Sequence, residues 1–538
     1  MKNTLRKSVI SLAIITSLGL SGCFDGAASS PTLETTSLNK TSTGVITGFG
    51  SVFINGVEYE TDNSVVTLDG VENAVGHDAG LKLGMVVTVS GDASGAVGNA
   101  ASIEFNDEIE GMVTEVPVTD GSGVTSGALK IMGVTVNVDD DTVFDSSDAT
   151  IAAVTDLALG HIVEVSGYSA GDGTVWATRI ELKKLAREVD DKVEVQGKIT
   201  NFDATTNTFT IGDMTVVVSA DVLATLEADG ISLADGMLVD AKSNVALNAD
   251  GSLELTEIEV KNTGKKKFEF DADDDEVEVE GVVTATATAG VFEVNGASVT
   301  FDANTRFVHG TETTISLGLK LKVKGSVDTD GNFVAKTIVF KPTGDIKMSG
   351  PITSANATDN SVNMFGLTVL LVNDTFVEDD RDVAEEMRVK YLFGADDLTA
   401  GDWLKIKAYK NSKGELIATK MIRKTVNSGK SAKLQGKIEA LTPDTLVSGV
   451  KVDVSSVSSL SSPAVGDRLE LKGSFDETLN TFIATDGETA SMEGPYIGGE
   501  DAEENMEEGA DKDMATDSDA DKDMNADNDS DSSNTMNM

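Results

Sequence analysis

Apolar and polar residues alternate with period two along most of this chain, and the alternation is interrupted at intervals by two-residue turns. Asn55-Gly56 is the first. If these two residues close a hairpin, Val52, Ile54, Val57 and Tyr59 fall on one face. Asn-Gly between alternating segments is the strongest short-range hairpin signal, because both central residues must take positive φ. Asn295-Gly296 repeats it between Phe292, Val294, Ala297 and Val299. Met132-Gly133 does the same between Leu129, Ile131, Val134 and Val136, and Gly212-Asp213, Phe365-Gly366 and Ser448-Gly449 occupy equivalent places. One apolar face per hairpin is what an antiparallel sheet with one buried side requires.

Around each hairpin the same order of features returns six times. Each copy opens on a glycine and a short apolar strand, at Gly44, Gly111, Gly197, Gly281, Gly350 and Gly436. After the hairpin a connecting segment leads to a second glycine and a strand, as in Leu83-Gly84 before "MVVTVSG" and Leu317-Gly318 before "LKLKVKG". A polar turn and a closing strand such as "WATRIEL" or "AKTIVF" complete the unit. The copies recur at roughly 65 to 85 residues, which suits small domains better than solenoid repeats. Three strands, a connector and two strands match a five-stranded OB-like barrel. The expected architecture is therefore all-β, about six tandem OB-like barrels. The units fall at 44–109, 110–190, 191–262, 277–342, 343–425 and a degenerate 431–490. The charged segment 263–276 is read as a linker dividing three copies from three. Domains of this size bury only about 60% of their unfolded surface, so neighbouring copies are expected to share interfaces.

The N-terminus breaks the pattern. Lys2, Arg6 and Lys7 precede an apolar run from Ser8 to Leu20, too short to span a bilayer and followed by small residues, as in a signal peptide over 1–22. Leu20-Ser21-Gly22-Cys23 resembles the bacterial lipobox, which implies cleavage before Cys23 and its acylation, with 23–43 as the linker beyond the anchor. Cys23 is the only cysteine, so the exported part carries no internal disulfide. Phe24, rather than Asp, follows it, which under the enterobacterial sorting rule favours the outer membrane, facing the periplasm or the cell surface.

A lipobox followed by tandem glycine-rich β units with F-x-V-N-G hairpins resembles a family of exported bacterial lipoproteins whose repeats are labelled domain of unknown function 5666. The resemblance spans about 44 to 490. It implies architecture and location, and brings no catalytic residues.

Composition removes several functions. Lys and Arg number 42 against 90 Asp and Glu, a net charge of −48, and nucleic-acid binding draws on basic surface, so nucleic acid is not expected among the partners. Gly48-Phe49-Gly50-Ser51 has neither the third glycine of a dinucleotide fingerprint nor a P-loop ending. His77, His161 and His309 lie in different copies at no metal-ligand spacing and read as surface or edge residues. No nucleophile elbow or zinc-protease motif is present, so the chain is read as no enzyme. The run from Asp271 lacks the glycine and the final glutamate of an EF-hand. The alternating Asp517, Asp519, Asp521 and Asp523 fail the same test, leaving loose calcium association as the one cofactor reading. From 491 to 538 the chain is acidic and poor in apolar residues, a disordered tail. Among outward hairpin positions only Phe53 is aromatic, and packing against a neighbouring copy is its expected role. Trp176 and Trp403 read as core or interdomain packing in closing strands. The expected role is that of a lipid-anchored, modular, non-catalytic envelope protein with a structural or adhesive function. Its partners would be the membrane, through the anchor, and other envelope or surface proteins. The alternative is an envelope protein binding carbohydrate or a divalent cation.

Overall fold

The computed structural model describes residues 38–490, apart from 50, 73–79, 117, 120–124, 127–128, 140, 149, 170–173, 189–190, 263–269, 271–275, 329–331, 343, 382–393, 412, 427–429 and 461. Leu20, Ser21, Gly22, Cys23, the tail with Asp517, Asp519, Asp521 and Asp523, His77 and most of segment 263–276 lie outside the described residues.

The first unit shows how each barrel is built. Its five strands are Leu38–Phe49, Val52–Ile54, Val57–Glu60, Val86–Ser94 and Val97–Phe105. They pair in the order 1-2-3-5-4 and close on strand 1, so the ring has no free edge. Strands 3 and 5 run parallel, Glu58–Glu60 beside Val97–Asn99, and the other neighbours are antiparallel. The same ring recurs in barrels 2, 4 and 6. In barrel 3 two strands bend, at Ile199 and Thr256, and the ring divides into two sheets. The tandem OB-like β-barrels expected from the sequence are what the chain forms.

The hairpin registers follow from the alternation. Val52 faces Tyr59 and Ile54 faces Val57, all within 3% of full burial. Asn55 and Gly56 take φ of 56° and 79°, Asn295 and Gly296 take 51° and 75°. The connector varies most. In barrels 1, 2, 4 and 5 it holds a short strand lying parallel to strand 5. In barrel 3 the helix Ala220–Ala228 replaces it, with the Ser219 hydroxyl accepting from the Val222 amide and Val222 and Leu226 buried beneath.

The barrels associate as 2 with 3, 5 with 6, and 1 with 4. In the first two pairs strand 1 of one barrel lies antiparallel to strand 1 of the next, Ile109–Glu110 against Glu194–Val195 and Lys347–Ser349 against Lys433–Gln435. Each of these pairs shares one continuous hydrophobic core. Barrels 1 and 4, far apart in sequence, instead join parallel strands, Lys40–Thr43 beside Glu276–Val279, and keep separate cores. A division into three copies and three is not how the barrels group.

Candidate functional site

Three junctions between barrels gather the chain's charged side chains. The first joins barrels 1, 4 and 5. Glu278, fully buried at the parallel seam, is met by Lys40 at 2.5 Å, Lys324 at 3.1 Å and Lys322 at 3.4 Å. Burial raises the Glu278 carboxyl, but Lys322, Lys40 and Lys324 outweigh it and hold the group below its ordinary value. Burial likewise opposes the charge on Lys40, and Glu278 reverses the balance and raises it. Lys322 also donates to the Asn55 carbonyl at 3.0 Å and reaches Asp374 of barrel 5 at 3.2 Å. The Asn55 amide nitrogen donates to Ser42 and to the Thr43 carbonyl, both at 3.0 Å. The turn that the sequence marks as a hairpin is therefore also the point where three barrels meet.

The second junction is the seam of barrels 2 and 3. Glu181, Glu164, Glu110 and Glu194 stand in register across four adjacent strands. Like charges directly opposed destabilise a sheet, so this row must be compensated. Lys183 meets Glu164 at 3.0 Å, and Lys192 and Lys242 meet Glu194 at 2.6 and 3.0 Å. Protons supply the rest. Burial, then the neighbouring Glu194, pushes Asp240 up to about 7, while hydrogen bonds from Asp240, Lys192 and Lys242 overcome burial and bring Glu194 to about 2. Burial and the carboxylates Asp69 and Glu194 raise Asp107 well above its ordinary value.

The third is a cleft of about 560 Å³ between the barrel 2 connector, residues 138–154, and the sheet shared by barrels 5 and 6. Its sheet wall carries Lys347, Lys405, Lys407, Lys420, Lys424 and Lys433. Lys420, Lys407 and Lys347 are direct cross-strand neighbours, and Lys405 and Lys433 flank Ser349 on its two sides. Counted from the glycine or alanine that follows, Lys405 and Lys433 are the repeat equivalents of Glu164 and Glu194, whereas Lys420, Lys407 and Lys347 stand where Arg179, Ser166 and Glu108 do. Asp141 reaches across to Lys407 at 3.1 Å. Its burial is outweighed by Lys407, Lys320 and Lys420, which hold its carboxyl well below the usual range.

The remaining residues singled out in the sequence fall as follows. Phe53 is buried but outside the hydrophobic cluster of its own barrel. The Trp176 ring lies over Gly318 of barrel 4, where a Cβ would sit 2.8 Å from it. Trp403 heads a fourth strand, Trp403–Lys410, rather than a closing one, and its indole donates to Ser349 at 3.0 Å. His161 is buried rather than at the surface, its ring accepting from the Ala158 amide, and His309 packs edge-on against Tyr409. Among the described residues no group of three or more His, Cys, Asp or Glu is placed to hold a metal, and no helix is long and apolar enough to cross a membrane. The charged rows escaped the sequence reading. Comparing the outward positions of the copies, "VEVSG" and "VEVQG" against "LKIKA" and "KLQG", carries their signal.

The barrels define a protein of tandem OB-like domains. Residues 110–181, 280–339 and 349–421, within barrels 2, 4 and 5, match the family described as "Domain of unknown function (DUF5666)". The chain thus carries tandem repeats of the kind its sequence resembles. No curated protein matches it. Among solved structures it is similar to the "drosophila Unr CSD456" chain, at 13% identity over 40% of this chain and 97% of that one, with a TM-score of 0.15. It is also similar to a multidomain protein with nucleic acid binding domains from Streptococcus pneumoniae TIGR4, at 10% identity over 44% and 80%, with a TM-score of 0.11. One of these neighbours is named for nucleic acid binding domains, and the exclusion of nucleic acid that was read from net charge is withdrawn. The physical fault lies in the step from net charge to surface: −48 is a sum over the chain and does not say how acids and bases are placed, as the cleft with its six lysines among six carboxylates illustrates. Likeness at these TM-scores carries no argument about what this chain binds.

Proposed function

We propose that this chain is an exported, lipid-anchored protein of the cell envelope with a structural, non-catalytic role, in which six barrels are tied to one another and Cys23 carries the anchor. The observation that carries the structural part is the buried junction of Lys40, Glu278 and Lys322, which fastens barrels 1, 4 and 5 across more than two hundred residues of sequence. Buried ion pairs add little stability against apolar alternatives but fix one arrangement, which is what a structural element needs. The lipobox-like Leu20-Ser21-Gly22-Cys23 supports the anchor.

Labelling of cells with an alkynyl fatty acid tests the anchor: wild-type chain takes up label and sediments with membranes, and Cys23→Ser does neither. Label retained by Cys23→Ser sinks the lipid part. For the structural role, a strain lacking the chain is expected to be detergent-sensitive and to be rescued by wild type but not by Glu278→Gln. Full rescue by Glu278→Gln would count against it.

A further inference from the structure

Every copy buries the residue four positions before its opening glycine. In copies three to six that residue is aliphatic, Val193, Val277, Ile346 and Ala432, none more than 4% exposed. In the first copy it is Lys40, which has Glu278 as its counter-charge. In the second it is Asp107, 4% exposed, on the short segment that joins barrel 1 to barrel 2. Packing does not call for an acid there, because an aliphatic side chain fills the position in four other copies. Burying a carboxylate without its own counter-charge is costly.

The groups around Asp107 are carboxylates from both sides of the joint. From barrel 1, Asp69 turns at φ 48° and accepts from the Asp107 amide at 2.9 Å, while Glu104 is engaged by Asn106. From barrels 2 and 3, Glu110 stands between Glu164 and Glu194, and Asp240 is hydrogen-bonded to Glu194. Glu108, the next residue, has a partner of its own. The cations of the seam are committed to these acids, Lys183 to Glu164 at 3.0 Å, and Lys192 and Lys242 to Glu194 at 2.6 and 3.0 Å. Burial, then Asp69, Glu194, Glu164 and Glu110, all push the Asp107 carboxyl upward and favour its neutral form.

No shared core resists a charge at this point. Barrels 1 and 2 keep separate hydrophobic clusters, and polar contacts hold them together. The Thr178 hydroxyl donates to the Gly84 carbonyl at 2.7 Å, Arg179 donates to the Leu83 carbonyl at 3.1 Å, and Lys82 meets Glu181 at 2.8 Å. Barrel 4, fastened to barrel 1 at Glu278, rests Gly318 on the Trp176 ring of barrel 2.

We propose that Asp107 makes the joint between barrels 1 and 2 proton-sensitive. With its carboxyl neutral the joint is closed; loss of the proton sets Asp107 against Asp69, Glu110, Glu164 and Glu194 and loosens barrel 1, together with barrel 4, from barrel 2. The closed joint binds a proton that an open joint, with Asp107 in water, releases at about pH 4. Closure therefore weakens as pH rises from there and levels off once the closed form has also lost the proton.

Trp176 reports the contact directly. In a Trp403→Phe chain it is the only indole, and its emission is expected to move to longer wavelength between pH 5 and pH 9 while the far-ultraviolet β signal holds. Small-angle scattering over the same range should show a rising radius of gyration. Asp107→Val, the residue type of the other copies, should abolish both changes and raise the urea midpoint at pH 9, and Asp107→Asn should abolish both changes. Unaltered emission and radius in the parent chain overturn the proposal, as do the same changes in either Asp107 variant. Loss of the β signal along with the shift overturns it too, since that is unfolding rather than an opened joint. None of these outcomes bears on the fatty-acid labelling or detergent tests of the structural role.

Discussion

Gly281 and Asn295 show how single residues set this fold. Asn295 takes φ of 51° at the hairpin turn, and its side chain folds back under strand 1, accepting from the Val282 amide at 2.9 Å and donating to the Glu280 carbonyl at 3.2 Å. A Cβ on Gly281 would lie 2.2 Å from the Asn295 amide oxygen. The opening glycine of the copy is therefore the seat of the turn residue above it. In barrel 5 the seat takes a ring: Phe365, at φ 52°, packs over Gly350. Gly281→Ala is expected to cost about 1–3 kcal/mol by displacing Asn295, read as a lower unfolding midpoint in urea. Titration adds a second residue-scale effect. Asp240 and Glu194 together keep one proton from about pH 2 to about pH 7, whereas in the unfolded chain both lose theirs near pH 4. Below pH 4 the unfolded state binds more protons, so stability rises from pH 2 to about 4. Above it the native state binds more, so this contribution falls from pH 4 to about 7. Asp240→Asn should flatten the upper limb, measured as urea midpoints at pH 5 and pH 8. An unchanged slope would refute the shared proton.

Between elements, two kinds of seam hold the barrels, and they should fail differently. Barrels 2 and 3, like 5 and 6, join through a common apolar core, whereas barrels 1 and 4 join through the buried charges around Glu278. Glu278→Gln removes the charge that Lys40, Lys322 and Lys324 share, leaving Glu276 to Lys40 and Asp374 to Lys322. Removing one partner of a buried ion pair costs about 3–5 kcal/mol. The expected outcome is a separate, earlier calorimetric transition for barrels 1 and 4, with protease cleavage appearing between barrels. A single unshifted transition would show that the seam contributes little.

The whole molecule inherits this asymmetry. Phe365 of barrel 5 packs against Phe475 and, edge-on, Phe482 of barrel 6, with ring centroids 5.7 and 5.1 Å apart, within the one hydrophobic core the two barrels share. A chain ending at residue 426 uncovers that surface and is expected to aggregate. One ending at residue 341 loses both barrels together and is expected to stay soluble, as solubility and light scattering would show. A soluble, folded chain ending at 426 would mean that barrel 5 stands alone.

The alternation around Asn55-Gly56 and its five equivalents was enough to specify β-hairpins, their buried faces and the barrel class, because strand period and turn φ are local properties of consecutive residues. The burial of Phe53 was legible for the same reason: an apolar ring on an outward strand position has to be covered. Which barrels pair was not legible. Lys40 meets Glu278 across 238 positions, and nothing local distinguishes that lysine from its neighbours. The glutamate and lysine rows, likewise, exist only once strands from different copies lie side by side, since a row is a property of register between strands and not of any one of them. The local arrangement of charge, and with it the cleft, was decided by that lateral assembly.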